Sequence, residues 1–153
     1  MLKRKCWFAT ALVNLFIIGF AGNASAFANE FQGRAQLKFV NIDKNSETAM
    51  VYVTVFQEQA EWDNERGVTL GAILGAKREV SVENLRSQSY GFSAFIDVNG
   101  NGKLDTNVFG APREPWALSK IGSKMPLGKP AWSSIAVEIK EDKTLEVPLY
   151  FHY

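Results

Sequence analysis

The chain has 153 residues, with 17 Lys and Arg against 16 Asp and Glu, one histidine, one cysteine and a nominal charge of +1. That length suits one domain able to bury a core without covalent staples. The near-balanced charge excludes a general attraction for nucleic acid or anionic lipid, and a lone cysteine excludes a disulfide framework or a cysteine-rich metal site.

The N-terminus reads as an export signal. Met1-Leu2-Lys3-Arg4-Lys5 is a basic head, Cys6 to Phe20 is mostly apolar, and Ala24-Ser25-Ala26 is a small-x-small cleavage site, with a second such site ending at Ala28. The apolar run is shorter than the ~20 residues that span a bilayer. Cleavage after residue 26 removes three basic residues and no acid, leaving 14 Lys and Arg against 16 Asp and Glu, a net −2. Cys6 leaves with the signal, and no small residues precede it as they would a lipid-attachment cysteine. Residues 27–153 are expected to form one periplasmic or extracellular domain, with no transmembrane segment once the signal is gone. It has to stand on packing alone or on packing with a metal.

Strand period then dominates. Ala35, Leu37 and Phe39 alternate with Arg34, Gln36 and Lys38. Val51, Val53 and Val55 alternate with Tyr52, Thr54 and Phe56, so that both faces of this segment are apolar. Val80 and Val82 alternate with charged and polar neighbours, and Tyr90, Phe92, Ala94 and Ile96 form a further run. Ile135, Val137 and Ile139 read as another strand, and Leu145, Val147, Leu149 and Phe151 as the last, with Pro148 assigning it to an edge or a bulge. Asn41 to Thr48 reads as a hairpin connection and Glu141-Asp142-Lys143 as a tight turn. Gln57 to Gly67 reads as loop, while Val68 to Ala76 fits a short strand or a helical turn equally. The pattern predicts an all-β, single antiparallel β-sandwich, transthyretin- or immunoglobulin-like, of six to seven strands. Residues 97–132 form a long loop, and its aromatics Phe109, Trp116 and Trp132 predict that it is ordered.

That loop begins Asp97-Val98-Asn99-Gly100-Asn101-Gly102-Lys103-Leu104-Asp105, which copies the first nine positions of a calcium loop. Asp97, Asn99 and Asn101 offer side-chain oxygens at positions 1, 3 and 5, Gly102 supplies the sharp turn, Lys103 offers its backbone carbonyl and Asp105 fills position 9. Position 12, normally a bidentate Glu, is Val108, and Asn107 or Glu114 would have to complete the shell. Such a site would be weak, in the range of about 10⁻⁴–10⁻³ M typical of extracellular modules. The same residues also suit a metal-free turn, in which Asn and Asp side chains bond their own backbone and glycines take positive φ. Both readings stand.

The segment Phe95-Ile96-Asp97-Val98-Asn99-Gly100-Asn101-Gly102-Lys103-Leu104-Asp105-Thr106-Asn107, followed by Phe109-Gly110-Ala111-Pro112-Arg113-Glu114-Pro115-Trp116, resembles a bacterial secreted family, domain of unknown function 2141. Tyr90-Gly91 upstream extends the likeness, and the strand spacing carries it over most of residues 33–151. The resemblance implies an exported β-sandwich and implies no activity. The chain departs from the family pattern at Ile96, where a polar residue, often His, is usual.

Catalytic constellations are sparse. His152 is the only histidine, and neither a Ser-His-Asp triad nor a histidine metal site has an evident partner set around it. Purine-catabolic hydrolases of transthyretin type need several histidines. Asp97, Asp105 and Glu114 form the one carboxylate set open to a hydrolase reading, but the glycine-rich setting favours cation binding. Pro112-Arg113-Glu114-Pro115-Trp116 is the best contact surface: Arg113 and Glu114 offer polar recognition and Trp116 a stacking face, unless Trp116 folds inward to pack the loop. The expectation is therefore a non-catalytic binding or envelope-accessory module, with calcium as the one candidate cofactor and a protein or glycan of the cell envelope as partner. The alternatives are a purely structural domain and a carboxylate-dependent hydrolase.

Overall fold

The structure is a computed structural model that describes residues 33–43 and 48–153. The export signal, its cleavage sites and Cys6 lie outside the described residues. In chain order the elements are β1 (Gly33–Val40), β2 (Met50–Phe56), α1 (Gln59–Asp63), β3 (Val68–Ile73), β4 (Glu79–Leu85) and β5 (Ser89–Asp97). They continue as β6 (Trp116–Leu118), α2 (Trp132–Ile135), β7 (Val137–Glu138) and β8 (Thr144–Tyr150). The protein is all-β, with eight strands among the described residues in place of six to seven.

Two sheets are present, one ordered β4-β1-β8 and the other β3-β2-β5-β6, with β7 also pairing β5. Alternation along each strand sends one row of side chains to a shared core. Ala35, Leu37 and Phe39 of β1 and Val147 and Leu149 of β8 join Val51, Val53 and Val55 of β2 and Tyr90, Phe92, Ala94 and Ile96 of β5 in a single buried cluster. Burying each Val, Leu, Ile or Phe of this set contributes about 1.5–3 kcal/mol, and this row-by-row burial is what fixes the strand register.

Five sequence expectations need correction. Gln57 to Gly67 is not wholly loop, because α1 occupies Gln59–Asp63. The domain is not purely antiparallel, because β1 and β8 run parallel from Arg34↔Thr144 to Val40↔Tyr150. The first and last strands sit side by side, and the whole intervening chain serves as the long crossover that parallel pairing requires. β1 and β2 do not pair as the hairpin expected across Asn41 to Thr48, since they belong to different sheets, and residues 44–47 lie outside the described residues. The 97–132 excursion is interrupted by β6, which pairs with β5 at Phe95↔Trp116, Ala94↔Ala117 and Ser93↔Leu118. Three residues are too few to show a period, and the open edge of β5 recruits them. Finally, Ile135 ends α2 and only Val137–Glu138 forms a strand. The open question at Val68 to Ala76 resolves as β3, paired with β2 in register from Met50↔Ile73 to Val55↔Val68. Pro148 does lie on an edge strand, β8.

The outer face of the larger sheet carries a second apolar cluster. Phe56, Trp62, Leu118 and Ile135 are buried there, with Trp116, Ile121 and Trp132 packed on them. Gly91 makes this packing possible, because a Cβ at that position would lie 2.8 Å from the Trp132 ring and 2.9 Å from Ile135 Cδ1. Ser119, fully buried, ties the layers together: its Oγ accepts the Phe92 N–H at 2.9 Å and donates to the Ile135 carbonyl at 2.5 Å. Lys129 Nζ reaches the Trp62 carbonyl at 2.7 Å and lies 4.7 Å from the centre of the Trp62 ring, which pins residues 119–131 to the C-terminal end of α1.

Candidate functional site

β5 delivers Asp97 at the rim of the larger sheet, and the chain there leaves the ladder. Asp97 is buried, and its two oxygens organise the turn that follows. Oδ1 accepts the N–H groups of Gly100 (2.7 Å) and Asn101 (3.2 Å), and Oδ2 accepts that of Gly102 (2.8 Å). Three backbone donors wrapping one carboxylate require tight local curvature, and Gly100 and Gly102 supply it at φ +76° and +73°. Two further side chains extend the pattern: Asn99 Oδ1 accepts from Asn101 N at 3.1 Å, and Asn101 Oδ1 accepts from Lys103 N at 2.8 Å.

Asp105 closes the loop. Its carboxylate receives Asn99 Nδ2 at 2.5 Å and Asn101 Nδ2 at 3.2 Å, so the head groups of these three residues converge. Glu114 reaches the loop from sixteen residues downstream of Val98. It is buried, with Oε1 accepting the Val98 N–H at 2.8 Å and Oε2 the Asp105 N–H at 3.1 Å. The Arg113 N–H donates to the Asp105 carbonyl at 2.8 Å, so residues 105 and 113 lie side by side. From this base a small turn projects. Thr106 bridges Pro112, Asn107 N–H donates to the Ala111 carbonyl (2.8 Å), and Asn107 Oδ1 accepts from Phe109 N (2.9 Å) and Ala111 N (3.1 Å).

The structure thus brings together Asp97, Asn99, Asn101, Lys103 and Asp105 on one compact loop. In kind, these donors fit a hard cation: the heads of Asn99, Asn101 and Asp105 meet at one place, and calcium takes oxygens from such residues. The amide nitrogens of both asparagines face Asp105, so the loop satisfies the acceptors of that carboxylate by itself. Among the described residues no three of His, Cys, Asp and Glu group together as a metal cluster. Asn107 serves its own turn. Glu114 does arrive at the loop, but its oxygens meet backbone N–H groups.

The predicted contact trio is divided. Arg113 is exposed, Glu114 is buried, and Trp116 is half-buried against the sheet. Trp116 stands beside Phe95 across the β5–β6 pair, and its ring centre lies 5.2 Å from that of His152. Phe95 in turn stacks on Tyr52 at 5.2 Å. His152 is buried and exchanges two backbone hydrogen bonds with Trp116 (2.8 and 3.1 Å), so the chain's last residues cross from β8 to the edge of the other sheet. The Nε2 of His152 is buried without a hydrogen-bond partner among the described residues.

Sequence reading missed two participants. Tyr52 approaches the loop, with its hydroxyl 3.5 Å from where a Cβ on Gly102 would sit. The signal was its place on the second apolar face of β2. Val108 and Phe109, at the tip of the small turn, are 94% and 92% exposed. The loop is ordered as its aromatics predict, but Phe109 itself points into solvent, held there by a turn that Asn107 and Gly110 favour.

A family model described as an uncharacterized protein conserved in bacteria, domain of unknown function 2141, matches residues 40–147, and the chain belongs to that bacterial family. No curated protein and no solved structure matches it.

Proposed function

We propose that this chain is an exported, non-catalytic binding module of the cell envelope, a β-sandwich of transthyretin- or immunoglobulin-like kind that holds out the 97–114 loop for docking. One observation carries the reading: the loop is braced from within by two buried carboxylates, Asp97 and Glu114, yet its tip residues Val108 and Phe109 add nothing to either core. A loop that served only to close the core would turn its large apolar side chains inward. The joining of both sheets' apolar rows in one cluster supports the sandwich. Two of the three loop carboxylates hold backbone N–H groups, which supports a positioning role for them over acid–base chemistry.

Calcium belongs to this proposal as a weak ligand of Asp97, Asn99, Asn101, the Lys103 carbonyl and Asp105. When bound it would supply positive charge at the point where the three head groups converge, and the chain's own part is to hold them there. Arg113 remains on the docking face, whereas Glu114 supports it from below. Trp116 contributes its exposed edge.

Thermal melts test both parts. The docking reading expects Phe109→Ser to melt with the wild type, and a fall of several degrees would mean that the ring packs and the reading is wrong. The calcium reading expects a rise in Tm at millimolar calcium that chelator reverses, and an unchanged Tm removes it.

A further inference from the structure

The loop's surface chemistry differs from its composition. Between residues 97 and 114 the ionisable groups are Asp97, Lys103, Asp105, Arg113 and Glu114, nominally one excess negative charge. Asp97 and Glu114 are buried on backbone N–H groups, and Asp105 is half-buried beneath the Asn99 and Asn101 amides. Lys103 and Arg113 are exposed. The loop therefore turns its acids inward and its two cations outward, at the base of the turn that bears Val108 and Phe109.

Around the same end of the larger sheet lie more exposed apolar side chains. Met50, Ile73 and Asp97 form the terminal register row, with Ile73 68% exposed, and Val98, next in the chain, is 70% exposed. The turn itself is rigid, since four hydrogen bonds among residues 107–111 fix it. Its side chains are held in water by backbone geometry, which is unfavourable unless something apolar receives them.

We infer that the Val108–Phe109 tip enters an anionic lipid leaflet, with Lys103 and Arg113 at the level of the headgroup phosphates. The tip is a convex turn with two adjacent apolar side chains and cations set back from it. This matches a leaflet, which offers phosphate at its surface and hydrocarbon just beneath. The inference deepens the docking reading and rests on it, but it does not require calcium.

The test uses the mature chain from residue 27, which has no cysteine, so that a thiol introduced by Phe109→Cys is the only one and carries an environment-sensitive fluorophore. Leu127→Cys, labelled likewise at another fully exposed apolar position, is the control. Vesicles of phosphatidylglycerol mixed with phosphatidylcholine are compared with phosphatidylcholine alone, in chelator and again in calcium. The expected result is brightening at position 109 on the anionic vesicles, quenched by spin-labelled acyl chains, with position 127 unchanged. Lys103→Glu with Arg113→Glu should weaken the response roughly ten-fold or more. A silent label at 109 overturns the inference, and so does equal brightening at 109 and 127 or on both vesicle types, which is adsorption through some other part of the chain. If the tip instead docks in a protein groove, the label stays silent on vesicles while Phe109→Ser still melts normally. That pattern separates failure of the lipid assignment from failure of the docking reading.

Discussion

Replacing Glu114 by Gln changes one oxygen into an NH₂ group and leaves shape and volume nearly intact. In the native loop both carboxylate oxygens accept: Oε1 from Val98 N at 2.8 Å and Oε2 from Asp105 N at 3.1 Å. Glutamine can serve one of these amides, but it presents a donor to the other. Hydrogen bonds to a charged acceptor contribute about 1.5–3 kcal/mol, and an amide left facing a donor costs about 1–3 kcal/mol when buried. Both amides are only part-buried, so the lower halves of these ranges apply and the net loss should be about 1–2 kcal/mol. For a domain of this size each kcal/mol moves Tm by about 4 °C, so Glu114→Gln should melt about 4–8 °C lower. Glu114→Ala orphans both amides and should cost about twice as much. Calorimetry or circular dichroism gives the Tm, and hydrogen exchange at the Val98 and Asp105 amides localises the effect. If Glu114→Gln melts within about 1 °C of wild type and neither amide exchanges faster, Glu114 is space-filling and the bracing argument is wrong.

Ser119→Ala should lower stability by about 1–3 kcal/mol in a denaturant titration, because it leaves the Phe92 N–H and the Ile135 carbonyl without their buried partner. Trp116→Ala should cost about 2–3 kcal/mol, at or below the low end of the ~3–5 kcal/mol of a fully buried aromatic, since the ring is only partly buried; a variant that melts normally would place it wholly on the surface. Burial raises the Tyr90 hydroxyl above its ordinary pKa near 10, with the Arg86 N–H it accepts acting the other way. The folded state thus holds this proton more tightly than the unfolded chain. Its stabilising contribution is complete below pH 10 and is lost as pH rises through the folded value. Tyr90→Phe should flatten that alkaline limb in a pH series of melts.

The amino-acid pattern alone determined the period of the main strands, the turn at Glu141-Asp142-Lys143, the edge position of Pro148 and the family-specific run from Phe95 to Trp116. Each rests on neighbours in sequence: side chains two apart share a face, proline lacks a donor, and Asn-Gly pairs favour turns. The same local chemistry made the Asp97 loop legible, since its carboxylate bonds residues only three to five positions on. Contacts between distant segments were not legible. The Glu114 brace, the parallel β1–β8 pair, the recruitment of Trp116–Leu118 by the β5 edge and the clamp at His152 all join residues whose spacing carries no period. Tertiary structure also decided the sign of the loop's surface. A segment with one excess acid shows two outward cations, because backbone amides concentrated by the turn draw the carboxylates inside, while Lys103 and Arg113, having no such acceptors, remain in water.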